Sequence, residues 1–272
     1  MTAYDEVRTA RSLLFVPASR PDRFDRARES GADLVIVDLE DAVAVDQKTS
    51  ALRNVVDLVE TGTAGVVVRV NGTDTPWHAA ETAALGGSRV AVILPKAESG
   101  RQVSAFAAAM DGSPVIALVE TPRGVLGADE IAGVPGVTRL ALGNVDLAAA
   151  LGVDPASREA LWRARSELVL ASAAHGKAGP VDGVTTLLDD EARLGEDVRH
   201  AVELGFSGKL CIHPRQVEVV NAGWQPTPAE VEWARRVEAV AGQGAVALDG
   251  EMVDEPVVRR ARAILDRSGG VS

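Results

Sequence analysis

Residues 114–147 read PVIALVETPRGVLGADEIAGVPGVTRLALGNVDL and hold two copies of one pattern. Residues 114–119 form a short apolar run that ends at Glu120 and passes into the helix opener Thr121-Pro122-Arg123. Residues 137–142 form a second run, ending in Gly143-Asn144-Val145-Asp146. A fully buried parallel strand reads as a continuous apolar run closed by turn residues. Each run therefore delivers a carboxylate to the carboxyl end of a strand, on the same side of the sheet. A hard divalent cation such as Mg2+ is commonly held by one or two carboxylates, its other positions going to water and substrate oxygens. Glu120 and Asp146 are the expected ligands. Taken singly, each has a plainer role open to it, Glu120 as an acid ahead of a helix and Asp146 as a helix cap.

Outward from this stretch the pattern recurs. Residues 12–16 (SLLFV), 34–37 (LVIV), 66–68 (VVV), 90–94 (VAVIL) and 209–212 (KLCI) are further strand-like runs, and 181–187 (VDGVTTL) is a weaker one. The second ends in Asp38-Leu39-Glu40-Asp41, the third in Arg69-Val70-Asn71, the fourth in Pro95-Lys96-Ala97-Glu98 and the last in His213-Pro214. Helical segments alternate with them, one opening near Pro21 and another spanning 47–60. The gap before residue 181 holds Gly152-Val153-Asp154-Pro155 and an amphipathic stretch to Ala174, a sixth helix with an inserted loop. A strand–helix–strand crossover takes about 30 residues. Eight such runs predict an α/β chain folded as a (β/α)8 TIM barrel, which typically takes ~250 residues and carries its active site at the carboxyl ends of its strands.

The barrel is expected over residues 1–225, after a polar lead-in, with a C-terminal helical extension at 226–272. In the extension, helices are expected at 227–240 and 256–265, around a turn-rich, partly strand-like segment containing Asp249-Gly250. A barrel closes without this appendage, so it is expected to cover the site or to reach a neighbouring subunit.

The chain has 272 residues, 46% hydrophobic and 25% charged, in the range of a globular protein. A net charge of −11 argues against nucleic acid and anionic membrane surfaces as partners. Cys211 is the single cysteine, so no intramolecular disulfide forms, and its apolar strand marks it as core. No apolar run reaches the ~20 residues of a membrane helix, and the N-terminus lacks a signal-peptide core. A reducing cytoplasm is the expected compartment. The tryptophans at 77, 162, 224 and 233 show no stacking spacing and are read as packing or subunit contacts. His213 before Pro214 is read as structural.

RSLLFVPASRPDRF, VIVDLEDAV, VVRVN, ILPKAES, ALVETPRGV, LALGNVDLAAALG, CIHPRQ and GEMVDEPVVRRA occur in this order from Arg11 to Ala261. In these segments the chain resembles the citrate lyase beta-chain-like branch of the HpcH/HpaI aldolase superfamily, with its malyl-CoA and citramalyl-CoA lyases. The resemblance implies a Mg2+-dependent barrel (Mn2+ being the other candidate ion), usually a homotrimer, that breaks or forms a carbon–carbon bond beside a thioester. Coenzyme A enters as part of the substrate and a keto acid as its partner.

Cleaving a 3-hydroxyacyl thioester that bears a carboxylate calls for a cation, a carboxylate anchor, a base and a proton donor. Arg69 is the expected anchor, because its planar fork binds a carboxylate bidentately; pairing with Glu40 or Asp41 is its other role. Of Glu40 and Asp41, one is expected to orient Arg69 or a metal-bound water and the other to pair with Lys96. Like charges raise one member's pKa and would make it a base. Lys96 contacts a thioester or phosphate, or neutralises this acidic ring. Arg20, Arg23 and Lys48 are expected to supply positive charge for coenzyme A, the arginines flanking a helix start. By the resemblance, Asp254 is an acid–base group from a neighbouring subunit; otherwise it caps the following helix. Two further readings stay open: a CoA-independent hydroxy-keto-acid aldolase, and a beta subunit of a multi-chain citrate lyase engaging an acyl carrier protein. Relatives with malate synthase or thioesterase activity leave direction and hydrolysis open as well.

Overall fold

A computed structural model describes residues 2–62, 64–248 and 250–269. In chain order the first elements are α1 (Ala3–Thr9), β1 (Ser12–Pro17), α2 (Phe24–Arg28), β2 (Leu34–Asp38), α3 (Lys48–Glu60), β3 (Val66–Arg69), α4 (His78–Leu85) and β4 (Ala91–Leu94). Next come α5 (Gly100–Ala109), β5 (Val115–Val119), α6 (Pro122–Leu126), α7 (Ala128–Ala132), β6 (Val137–Leu142), α8 (Asn144–Leu151) and α9 (Trp162–Ala174). β7 (Val181–Asp182), α10 (Glu191–Leu204), β8 (Gly208–Cys211) and α11 (Arg215–Gly223) follow. The last are α12 (Pro228–Ala239), β9 (Val246–Leu248), β10 (Glu251–Val253) and α13 (Glu255–Gly269). β1 to β8 pair in sequence order and β8 returns to β1, so the sheet is the closed parallel barrel that the sequence pattern predicts. The chain separates into two compact units, Met1–Asn221 and Ala222–Ser272.

Within the first unit, Leu13, Ile36, Val67, Ile93, Leu118, Ala141, Val181 and Leu210 form one buried cluster inside the barrel. Side chains two residues apart on a strand share a face. Asp38, Arg69 and Glu120, each two residues beyond a member of this cluster, thus continue the inward face at its carboxyl end. Strand register does the rest, since Asp38 and Arg69 are direct cross-strand partners.

Two readings of the sequence need correction. The seventh run was expected to span 181–187, but only Val181–Asp182 pairs as strand. Beyond Gly183, the Asn144 side chain takes over the bonding: Oδ1 accepts from Val184 N at 2.8 Å and Nδ2 donates to Val184 O at 3.0 Å. The polar lead-in is a helix. α1 opens with a Thr2/Asp5 capping box and buries Val7 in the interior cluster. Arg139, fully buried on β6, ties α1 to the amino end of the barrel, donating to Val7 O at 3.1 Å, Ala10 O at 2.6 Å and Gly179 O at 2.7 Å.

Asp182 and Lys209 alternate with the interior residues Val181 and Leu210, so they lie on the outer face of the wall. They are register partners, and both are about 1% exposed. Lys209 Nζ and Arg165 Nε from α9 each reach Asp182 at 2.9 Å.

The second unit has its own core of Ala234, Val237, Val253, Val258, Ala261 and Ile264. Thr227 and Glu230 form a capping box at α12, and β9 pairs antiparallel with β10. Asp249, in the expected turn, lies outside the described residues. Among the described residues no helix is long and apolar enough to cross a membrane.

Asp182→Ala leaves Lys209 and Arg165 without their carboxylate in a dry layer. Removing one partner of a buried pair costs about 3–5 kcal/mol, and denaturant unfolding should show a loss of that size. A loss under about 1 kcal/mol would mean that the pair is already hydrated.

Candidate active site

At the carboxyl end of the barrel, Asp38 holds Arg69. Its two oxygens accept from Arg69 Nε at 2.7 Å and Nη2 at 2.8 Å, and both side chains are buried. The Phe15 ring lies 4.8 Å from the guanidinium carbon and supports it from another side. Burial alone would pull the Arg69 pKa down, but Asp38, Glu40 and Asp41 outweigh that and hold it above the usual value. Asp38 is a residue that sequence reading passed over. Its signal was the parity of β2, which puts position 38 on the same face as Ile36.

Glu40 is buried and faces both cations. Lys96 Nζ donates to its Oε1 at 2.6 Å, while Arg69 Nη1 lies 3.0 Å from its Oε2 without hydrogen-bond alignment. Oε2 is therefore a buried carboxylate oxygen with no hydrogen-bond partner. Burial raises the Glu40 pKa, against the pull of Arg69 and Lys96. Asp41 is exposed and 3.8 Å from Arg69. The expected division of labour thus changes. Asp38 orients Arg69, Glu40 meets both cations, and Asp41 stays at the rim.

Glu120 is 2% exposed, and its Oε1 accepts from Lys96 N at 2.8 Å. That bond depends on a left-handed Lys96, φ 49°, a conformation uncommon outside glycine. Gly143 gives Glu120 its space, because a Cβ there would lie 2.6 Å from Glu120 Oε2. Burial, then the charge of Glu40, pushes the Glu120 pKa up to about 8, with Asp146 adding to the rise. Asp146 stands exposed in the first turn of α8. Neither acid serves as a cap: no side chain caps α8, and Thr121 caps α6 by accepting from Gly124 N at 3.1 Å.

Two of the expected coenzyme A contacts, Lys48 and Arg20, are engaged within the chain. Lys48 is buried, and its Nζ donates to Leu39 O at 2.6 Å, Glu40 O at 2.7 Å and Asn71 Oδ1 at 2.7 Å. An ammonium has three donors, so none is left for a phosphate. Lys48 instead pins the turn that carries Glu40. Asn71 completes that support by donating its backbone N–H to buried Glu81 at 2.7 Å. Neither Asn71 nor Glu81 was singled out from sequence. Arg20 is bidentate with Asp22, at 2.9 and 2.7 Å, so its charge is largely offset at the surface. The helix start between Arg20 and Arg23 is one 3-10 turn ahead of the five-residue α2, too short to gather much dipole. Arg23 is exposed.

Asp254 belongs to the second unit, where its Oδ1 accepts from Val257 N at 3.3 Å and its backbone O from Val258 N at 3.0 Å at the start of α13. His213 Nδ1 accepts from Arg215 N at 3.2 Å, a local turn role. Cys211 is fully buried core.

The arrangement suits a hard cation. Glu40 and Asp146 raise the cost of ionising Glu120, and the donors of all three are carboxylate oxygens, with no thiol or imidazole among them. Among the described residues no group of three His, Cys, Asp or Glu is arranged as a closed metal cage. A two-acid site leaves coordination positions for water and substrate oxygens.

A model of the HpcH/HpaI aldolase/citrate lyase family matches residues 11–214. The (3S)-malyl-CoA thioesterase of Cereibacter sphaeroides is 37% identical over 273 residues, covering 96% of this chain and 95% of that protein. A citrate lyase subunit beta-like protein of Mycobacterium tuberculosis is 40% identical over 265 residues, covering 94% of each. The crystal structure of CitE from Mycobacterium tuberculosis in complex with magnesium, acetoacetate and coenzyme A aligns with a TM-score of 0.84 at 38% identity, over 96% of this chain and 99% of that one.

Glu120 makes a pH prediction with a definite sign. Its folded pKa lies above its unfolded one, so its contribution to stability is full in acid and is lost as pH rises through about 8. In EDTA, the unfolding midpoint should therefore fall between pH ~5 and ~8. Saturating Mg2+ should flatten that fall by binding the ionised form. Parallel curves with and without Mg2+ would refute the linkage.

Proposed function

Because this chain belongs to the HpcH/HpaI aldolase/citrate lyase family, we propose that it is a Mg2+-dependent carbon–carbon lyase acting on a short 3-hydroxydicarboxylyl-CoA. Citramalyl-, malyl- and citryl-CoA are the substrate class, and a keto acid and a shorter acyl-CoA are the products. The observation that carries the proposal is the buried Glu120 carboxylate crowded by Glu40 and Asp146 at the strand ends. The relatives support its CoA and magnesium components, through a malyl-CoA thioesterase and a CitE complex with magnesium and coenzyme A.

Glu120 and Asp146 would hold the ion. When bound, it would supply positive charge next to the oxygen on which negative charge accumulates. Arg69, fixed along its Nε–Nη2 edge by Asp38 and with Nη1 beside Glu40, is the proposed anchor for the substrate carboxylate. Glu40 is the candidate base for the 3-hydroxyl proton, since burial raises its pKa and Lys96 holds it in place. As that proton leaves, the oxygen forms a carbonyl, the carbon–carbon bond breaks, and the electron pair passes to the thioester's α-carbon. Asp254, from a neighbouring subunit of a homotrimer, is the proposed proton donor to that carbon.

Hydrolysis of the same thioester is a second reading, favoured by the thioesterase relative. The two are separated by incubating the full chain with each thioester and measuring keto acid and free thiol. Lysis releases keto acid with the new thioester intact, whereas hydrolysis releases free coenzyme A and no keto acid. Turnover of either kind in EDTA at the Mg2+ rate would reject the metal-dependent reading.

Glu120→Ala and Asp146→Ala should each lower kcat/KM at least about a hundredfold while the far-UV spectrum stays native. Arg69→Lys should lose a similar factor, because a point charge replaces neither edge of the fork. Near-normal rates in any of the three would remove that residue from the assigned role.

A further inference from the structure

Outside the barrel wall, β7 and β8, the segment near Arg158, α9 and α10 border a partly open cavity of ≈ 30 Å3, room for about two water-sized spheres. Its lining holds the cations Arg158, Arg165, Arg193 and Lys209 against the carboxylates Asp182 and Asp197. Both carboxylates are already engaged. Asp182 accepts from Arg165 Nε and Lys209 Nζ, each at 2.9 Å. Asp197 accepts from Arg158 Nη2 at 3.0 Å on one oxygen and from Thr185 Oγ1 at 2.9 Å on the other.

What remains is a surplus of donors. Arg165 Nη1, Arg158 Nε and His200 Nε2 are buried atoms with no hydrogen-bond partner. The Arg165 side chain is only 8% exposed, so bulk water does not serve it. A buried donor left unpaired carries its full desolvation cost. Burial and the nearby Arg165 and Arg158 hold His200 below its usual pKa, so its ring is neutral at pH 7 and donates from Nε2 in the matching tautomer.

We propose that this cavity binds a small monovalent anion of halide size, held by Arg165, Arg158 and His200. An anion there would offset the excess of lining cations and supply the acceptor that these donors lack. A volume of ≈ 30 Å3 suits an ion of halide size. Asn144, two residues before Asp146, also lines the cavity, so the anion braces the turn that carries Asp146 from behind. The inference is independent of the reaction catalysed.

The test is thermal unfolding of the full chain in sodium chloride or bromide against sodium gluconate at matched ionic strength, with bromine-edge diffraction from bromide-soaked crystals. Halide should raise the midpoint by a few degrees where gluconate does not, and a bromine peak should appear in the cavity. Arg158 is 37% exposed, so Arg158→Gln is expected to fold and to lose the halide-specific rise. Equal midpoints in halide and gluconate with no bromine peak would mean water alone and overturn the proposal. A halide-specific rise that survives in Arg158→Gln would also overturn it.

Discussion

The barrel brings more negative charge to its carboxyl end than its own cations neutralise there, and the rest of the site follows from that imbalance. Asp38, Glu40 and Glu120 are buried, with Asp41 and Asp146 at the rim, around buried Arg69 and half-exposed Lys96. Asp38 takes one edge of Arg69 through strand register alone. Glu40 takes Lys96. Glu120 receives only a backbone N–H, and the balance of its charge is unmet, which is why its proton is held so firmly. A fold stabilised by burial tolerates such a cluster where a held proton or a bound cation offsets its charge.

Three of the places where the first unit buries charge are resolved differently. At the amino end, Arg139 meets backbone carbonyls and the Ser207 hydroxyl, tying α1 to the barrel. Behind the wall, Asp182 joins Lys209 and Arg165 in a near-neutral network that leaves extra donors facing a cavity. At the carboxyl end the surplus is negative. The first is closed by the chain itself; the other two have room for ions of opposite sign, an anion behind the wall and a cation at the mouth.

Much of this was legible in the sequence. Eight apolar runs gave the barrel, and acids at strand ends gave Glu120 and Asp146, because strand ends share one side of a parallel sheet. Asp38 escaped notice through the crowding of DLED, where three acids compete and only Asp38 belongs to β2. Lys48 read as a contact for coenzyme A because nothing local signals that Leu39, Glu40 and Asn71, the last 23 residues away in the chain, converge on it. α1 was missed because a single buried side chain, Val7, fixes it. The shortness of β7 was hidden by the valines and threonines of residues 181–187, where Asn144 bonds the backbone of Val184 in place of a neighbouring strand.

The central claim, that an external cation completes the acidic cluster, is tested most directly by anomalous diffraction at the manganese edge from crystals of the full chain soaked in Mn2+. The account predicts a single strong peak in contact with the carboxylates of Glu120 and Asp146. A barrel mouth without a peak, or an ion bound elsewhere while Glu120 stays on the Lys96 amide alone, would contradict it.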